Sequence, residues 1–149
     1  MSTTPTFGTQ LIGQTEKALN AILERLLEGT HLTEPQWVTL TLTVMSGGAV
    51  DRDELVRRVA GAVKVSADEA QARIGELAAA QLVDAADEEG SQVRVTDAGR
   101  ELQSRIRTEA GEITERLWGD LPAEDLTTAA RVLGTVLNRA SEEFERLNS

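Results

Sequence analysis

One change of hydrophobic period restricts the folds available to this sequence of 149 residues. Apolar residues recur at helical spacing before residue 82 and after residue 96. Between these positions, two short apolar segments flank the polar turn Asp87–Ser91, and the second segment, Gln92–Thr96, alternates apolar and polar residues. Such a pattern around a Gly-containing turn predicts a β-hairpin. The sequence therefore predicts a mainly α-helical protein with one short hairpin.

Capping residues divide the rest of the sequence into six predicted helices. A side-chain oxygen at a helix start accepts a backbone N–H that the helix itself leaves unpaired. The first predicted helix covers Gln10–Glu28, and the last covers residues 126–147. The boundary signals are Gly29, the Thr33–Gln36 capping box, Ser46-Gly47-Gly48, Asp51 before the third helix, the Ser66–Glu69 capping box, Thr96 or Asp97 before the fifth helix, and the break at Leu121–Asp125.

The order of these elements predicts a winged helix-turn-helix core, in which three helices are followed by a β-hairpin wing. We assign this core to residues 33–96. The flanking segments, residues 1–32 and 97–149, carry long apolar stripes that so small a core cannot cover, which favours pairing with a second copy of the chain. We therefore expect a single domain, residues 1–149, with N- and C-terminal dimerisation helices.

The composition excludes several classes of function. The sequence has no cysteine and one histidine, so disulfides, thiolate catalysis and a zinc site are not expected. It shows no Gly-rich phosphate loop and no Ser-His-Asp set, and we predict neither an enzyme nor a bound cofactor or metal. The N-terminus has no signal-peptide pattern and no stretch is apolar enough to span a membrane, so we expect a cytoplasmic protein.

Four segments resemble the MarR family of winged helix-turn-helix transcriptional regulators. The resemblance runs from about Gly8 to Leu147 and depends on the order and spacing of the segments. It implies a homodimer, a palindromic duplex DNA as partner, and a small aromatic effector in a pocket. The four segments are Leu32–Trp37, Glu54–Val59, Arg73–Leu77 with the following Gln81-Leu82-Val83, and Val93–Arg100.

Three positions depart from the family pattern. The predicted wing tip, Asp87–Ser91, carries three carboxylates and lacks the Arg that the family inserts into the minor groove. The recognition helix begins with Asp68 and Glu69, where polar or basic residues are expected to face the bases. Gln81 stands where the family usually has Gly. The whole chain is also acidic, with 15 basic and 25 acidic residues and a net charge of −10.

Candidate DNA contacts are therefore few. A local basic stripe can bind DNA on an acidic protein, and the alternative for each cation is a solvated helix surface. Arg73 could instead pair with Glu69 or Glu76, and Ser66 could serve only as a helix cap. The candidates are Arg57, Arg58 and Lys64 for phosphates, Ser66, Gln71 and Arg73 on the recognition helix, and Arg94 on the second wing strand.

Trp37 and His31 are candidates for effector binding. Trp37 lies where the family pocket is often lined, and His31 precedes it in the connecting loop. The alternative for His31 is a surface loop residue. For Trp37, as for Trp118, it is an anchor in the core or at an interface. Three functions remain open: a DNA-binding regulator, most simply a repressor released by an effector; a winged-helix dimer that binds proteins or mimics DNA; and a small-molecule binder without DNA recognition.

Overall fold

The computed structural model describes residues 4–85 and 91–149 and has the predicted mainly α-helical architecture. The chain divides into two compact units, residues 1–110 and 111–149. The elements are α1 (Thr9–Leu27), α2 (Glu34–Met45), β1 (Ala49–Asp51), α3 (Arg52–Val63), α4 (Ala67–Ala79), β2 (Val83–Ala85), β3 (Gln92–Val95), α5 (Asp97–Trp118) and α6 (Ala123–Leu147).

Side-chain caps fix the helix starts as the sequence predicts. The Asp51 carboxylate accepts the Glu54 N–H at 3.2 Å at the start of α3. The Ser66 hydroxyl does the same for the Glu69 N–H at 3.1 Å in α4. Of the two residues proposed for α5, Thr96 is the cap, because its Oγ1 accepts the Gly99 N–H at 3.0 Å. Each cap satisfies a donor that would otherwise be unpaired, which is worth about 1 kcal/mol.

The sheet has three strands, one more than the predicted hairpin. β3 lies in the centre and pairs antiparallel with both β1 and β2, with Val93 opposite Val50 on one side and Ala85 on the other. The sequence analysis treated residues 46–51 only as a helix stop and a cap. A three-residue strand is too short to show a period of its own, and its pairing with β3 defines it.

The core of the first unit lies between α2, α3, α4 and the sheet. Its largest fully buried side chains include Leu40, Leu55, Ile74 and Leu77, with exposures of 1% or less. Burying each such side chain contributes roughly 1.5–3 kcal/mol before the loss of conformational entropy is counted. This packing fixes which face of α4 points outward.

The structure around the start of α5 shows what Thr96 and Gly99, two residues of the segment that resembles the MarR family, contribute there. The Thr96 N–H donates to the Leu82 carbonyl at 3.1 Å, and its Oγ1 donates to the Gln81 carbonyl at 2.8 Å. Gly99 is buried against the same Leu82 carbonyl, and a Cβ there would overlap its oxygen. Gln81 has a φ of 65°, in the left-handed region. Glycine adopts this conformation without the steric cost that other residues incur.

The second unit leaves the apolar stripe of α6 in contact with solvent. No residue of α6 is buried in the chain, and Leu133, Leu137 and Phe144 are 45%, 62% and 45% exposed. Exposed apolar stripes of this length are characteristic of surfaces that bind another protein. Across residues 4–85 and 91–149, no helix combines the length and the apolar character needed to cross a membrane.

Candidate nucleic-acid interface

The turn between α3 and α4 places α4 as the second helix of a helix-turn-helix. Lys64 ends α3 in the left-handed conformation, with φ 55° and ψ 50°. Two residues later, Ser66 caps α4. The inner face of α4 is anchored by Ala70, Ile74 and Leu77, all buried. The opposite face of α4 is therefore the one available to a ligand.

The outward face of α4 carries no cation. Three of its side chains are carboxylates and the others are small. Direct recognition of bases needs side chains long enough to reach base edges, and phosphates attract cations. This face supplies no cation, and the base group that carboxylates ordinarily bind is the cytosine amine. Its exposed residues are Asp68, Glu69, Ala72, Gly75, Glu76 and Ala79.

The two predicted base-reading residues lie on the flanks of this face, and each has an intramolecular partner. The Gln71 Oε1 accepts a hydrogen bond from the Arg52 Nε at 2.8 Å. The Arg73 Nε lies 2.9 Å from Glu76 Oε1, and its NH2 donates to Glu76 Oε2 at 3.2 Å. Of the two carboxylates considered for Arg73 in the sequence, the structure therefore selects Glu76.

Glu76 has a second partner on another helix. Its Oε1 accepts a hydrogen bond from the Gln36 Nε2 of α2 at 2.7 Å. The Arg73–Glu76 pair is visible in the sequence as a spacing of three residues. The contact with Gln36 spans 40 residues of sequence. Only the packing of α2 against α4 brings these two side chains together.

The predicted phosphate-binding residues of α3 differ in their surroundings. Arg57 is exposed. Arg58 pairs with Glu54 at 2.8 Å and donates to the Ser46 hydroxyl at 3.0 Å. Lys64 is exposed at the turn before α4. All three side chains are exposed, and Arg58 has a carboxylate beside it.

The wing presents one cation within its described part. Arg94 lies on the exposed side of β3, opposite Asp84 in the register, and donates to Gln92 Oε1 at 3.0 Å. The predicted acidic residues of the wing tip, Asp87, Glu88 and Glu89, lie outside the described residues. Arg94 extends from the body of a strand, and its nearest charge in the register is a carboxylate.

A cavity of about 350 Å³ lies at the connection between α1 and α2. Leu27 and Leu32 provide its apolar lining. His31 also lines it, as predicted for an effector contact, and has a φ of 64° in the left-handed region. Trp37, the other predicted contact, is half-buried in α2 and is not among the lining residues. The remaining lining residues are Glu24, Glu28, Gly29, Thr33 and Glu34.

Solved structures share this fold over nearly the whole chain. A MarR protein from Peptoclostridium difficile DA00132 is 19% identical, with a TM-score of 0.76 over 99% of each chain. The PcaV transcriptional regulator from Streptomyces coelicolor, in complex with its natural ligand, is 19% identical, with a TM-score of 0.70 over 94% of this chain and 99% of its own. NadR in complex with 4-hydroxyphenylacetate is 20% identical, with a TM-score of 0.68 over 92% and 98%.

The sequence itself matches no protein-family model and no curated protein. At these identities the similarity establishes the architecture. The helix order, the three-stranded sheet and the placement of α4 all agree with it. The chain therefore has the winged-helix fold of the MarR-type transcriptional regulators.

Proposed function

We propose that this protein is a homodimeric transcriptional regulator that binds duplex DNA and represses transcription in the cytoplasm. The observation that carries the proposal is the MarR-type fold over the full length of the chain, at a TM-score of 0.76. A capped helix with one exposed face, at the end of a helix-turn-helix, is the geometry that enters a major groove.

Dimerisation is supported by the apolar stripe of α6. Leu137, at 62% exposure, and Phe144, at 45%, would lose contact with water if the stripe packed against a second copy. In the proposed dimer, residues 1–32 and 97–149 form the interface. The two recognition helices would then enter successive major grooves about 34 Å apart, and the preferred site would be palindromic.

The charges of α4 indicate how the protein would bind DNA. Its outward face carries three carboxylates, so contacts to phosphates would come from its margins, mainly Arg57, Lys64 and Arg94. Ser66, at the start of α4, and Gln71, on its flank, remain candidates for contacts with DNA. Affinity built from a few peripheral phosphate contacts falls with added salt, with a slope of about −0.9 per contact. We expect weaker binding than a basic winged helix would show.

A small aromatic effector is part of the proposal. NadR, which shares the fold, holds 4-hydroxyphenylacetate in its solved structure. The cavity beside His31 offers the apolar side chains of Leu27 and Leu32 to an aromatic ring, beside several polar and charged groups. A ligand bound there would change the DNA affinity only if it preferred one conformation of the dimer.

Fluorescence anisotropy tests the central proposal. The labelled duplex is the region upstream of the protein's own coding sequence, and the control is a scrambled duplex of equal length and composition. Titrations at low and moderate salt should show tighter binding to the upstream duplex and a loss of affinity with salt. Sedimentation of the same samples should show a dimer. A folded dimer that binds neither duplex at low salt would refute the proposal.

The outward face of α4 favours a second candidate, a winged-helix dimer that binds a basic protein. Asp68, Glu69 and Glu76 would repel phosphates and attract cationic side chains. The variant Glu69→Lys separates the two candidates. It should strengthen DNA binding if α4 faces DNA. If neither the wild-type dimer nor the Glu69→Lys dimer binds DNA, the protein-binding candidate gains support.

A further inference from the structure

A series of side-chain contacts joins the α1–α2 cavity to the recognition helix. It begins at Thr33, which lines the cavity and precedes α2. Gln36 is next, and its two polar atoms have different partners. Its Oε1 accepts the Thr33 N–H at 2.8 Å, and its Nε2 donates to Glu76 Oε1 at 2.7 Å.

Glu76 completes the series by holding Arg73. The guanidinium NH2 donates to Glu76 Oε2 at 3.2 Å, and the Nε lies 2.9 Å from Glu76 Oε1 as an ion pair without hydrogen-bond geometry. The Arg73 side chain is 30% exposed and the Glu76 side chain 43% exposed. Arg73 is the only cation on α4, and in this arrangement its charge is directed at a carboxylate of the same helix.

Gln36 makes this arrangement dependent on the cavity. One amide group makes both hydrogen bonds, so a displacement of one partner beyond the ordinary range of hydrogen-bond lengths must turn the side chain or break a bond. A displacement of Thr33 would therefore disturb Gln36. The loss of the Nε2 bond would remove the anchor that fixes the Glu76 carboxylate to α2, so that Glu76 and Arg73 would be held less firmly in this position.

We propose that Gln36 and Glu76 are positioning residues that hold Arg73 away from DNA phosphates, and that the cavity rim at Thr33 controls this hold. The proposal rests on the function proposed above and adds the route of its regulation. A ligand that fits the cavity with Thr33 in place favours the held state and lowers DNA affinity. Binding of DNA favours the released state, and the two effects are linked reciprocally.

The first test compares two carboxylates on the exposed face of α4. Glu76→Gln removes the grip on Arg73 and one negative charge, whereas Glu69→Gln removes only the charge. We expect Glu76→Gln to lower the Kd for duplex DNA roughly four- to twentyfivefold beyond Glu69→Gln, because the dimer has two such pairs and an exposed ion pair is worth up to about 1 kcal/mol. Its salt slope should steepen by about 1.8, the effect of one more phosphate contact in each subunit of the dimer.

A double-mutant cycle with Arg73→Met assigns the effect to Arg73. In the Arg73→Met background, Glu76→Gln and Glu69→Gln should change the Kd equally. If Glu76→Gln already equals Glu69→Gln in the presence of Arg73, the hold is refuted while the proposed DNA binding stands. If the folded wild-type protein and all variants bind no duplex at low salt, both proposals fail.

The second test follows the cavity end of the series. The amide resonance of Thr33 should shift when wild-type protein is titrated with the duplex, because release of Glu76 alters Gln36. The variant Gln36→Met keeps the length of the side chain and removes both hydrogen bonds, and it should abolish the shift. A Thr33 resonance that stays unchanged while wild-type protein binds DNA would overturn the link to the cavity.

Discussion

Replacing Gly99 by alanine should destabilise the protein, although alanine is the better helix former. Gly99 lies in the first turn of α5, and a Cβ there would overlap the Leu82 carbonyl oxygen. The added atom would also lie 3.0 Å from the Leu82 carbonyl carbon and from Val95 Cγ2. The carbonyl belongs to the backbone and accepts the Thr96 N–H at 3.1 Å, so it cannot rotate away without loss of that bond.

The magnitude follows from two opposing contributions. The helix propensity of alanine would stabilise α5 by up to about 1 kcal/mol. Overpacking against a fixed neighbour costs about 1–3 kcal/mol, and a clash with backbone belongs at the upper end. We expect a net loss of about 2 kcal/mol in the free energy of unfolding. For a chain of this size the loss corresponds to a fall in Tm of roughly 4–8 °C.

Gly61 provides the matched control. It lies in the interior of α3, and a Cβ at this position meets nothing within 4 Å. Gly61→Ala should therefore raise the Tm by a few degrees through helix propensity alone. Both variants are melted at one protein concentration by circular dichroism, because dimerisation would make the Tm depend on concentration. A Gly99→Ala variant that melts at or above the wild-type temperature would refute the steric argument.

Three further predictions concern the rest of the molecule. Leu137→Glu, at a 62% exposed position of the α6 stripe, should shift sedimentation from dimer to monomer, whereas Thr128→Glu, on a different face of α6, should leave the dimer intact. Gln81→Gly should raise the free energy of unfolding by about 0.5–1 kcal/mol, because the left-handed conformation at φ 65° costs a non-glycine residue about 1–2 kcal/mol; an unchanged Tm would contradict this. Arg57→Ala should reduce the salt slope of DNA binding by about 1.8, one phosphate contact in each subunit of the dimer, and Arg146→Ala, near the end of α6, should not change it.

The sequence was sufficient to predict the order of the helices and most of their ends. Capping is local, because a side chain at Asp51 or Ser66 bonds to an N–H three residues away. The apolar stripes are also local, since they follow from the helical period. The strand β1 could not be predicted in the same way, because three residues show no period and the strand exists through its pairing with β3.

In the candidate site, too, some features follow from the sequence and others only from the tertiary structure. The cations and the acidic start of α4 are evident from the sequence, and so is the spacing that allows Arg73 to reach Glu76. Their orientation is not. Burial of Ala70, Ile74 and Leu77 turns Gln71 and Arg73 to the flanks of α4 and leaves the carboxylates facing outward.

The sequence by itself thus determined the helices, their caps and the acidic start of α4, because these properties depend on neighbours within a few residues. The tertiary structure alone decided the third strand, the overlap that requires glycine at position 99, and the contact between Gln36 and Glu76. Each of these joins residues that are distant in the chain. They meet only because burial of the apolar faces of α2, α3 and α4 in one core fixes the helices against each other.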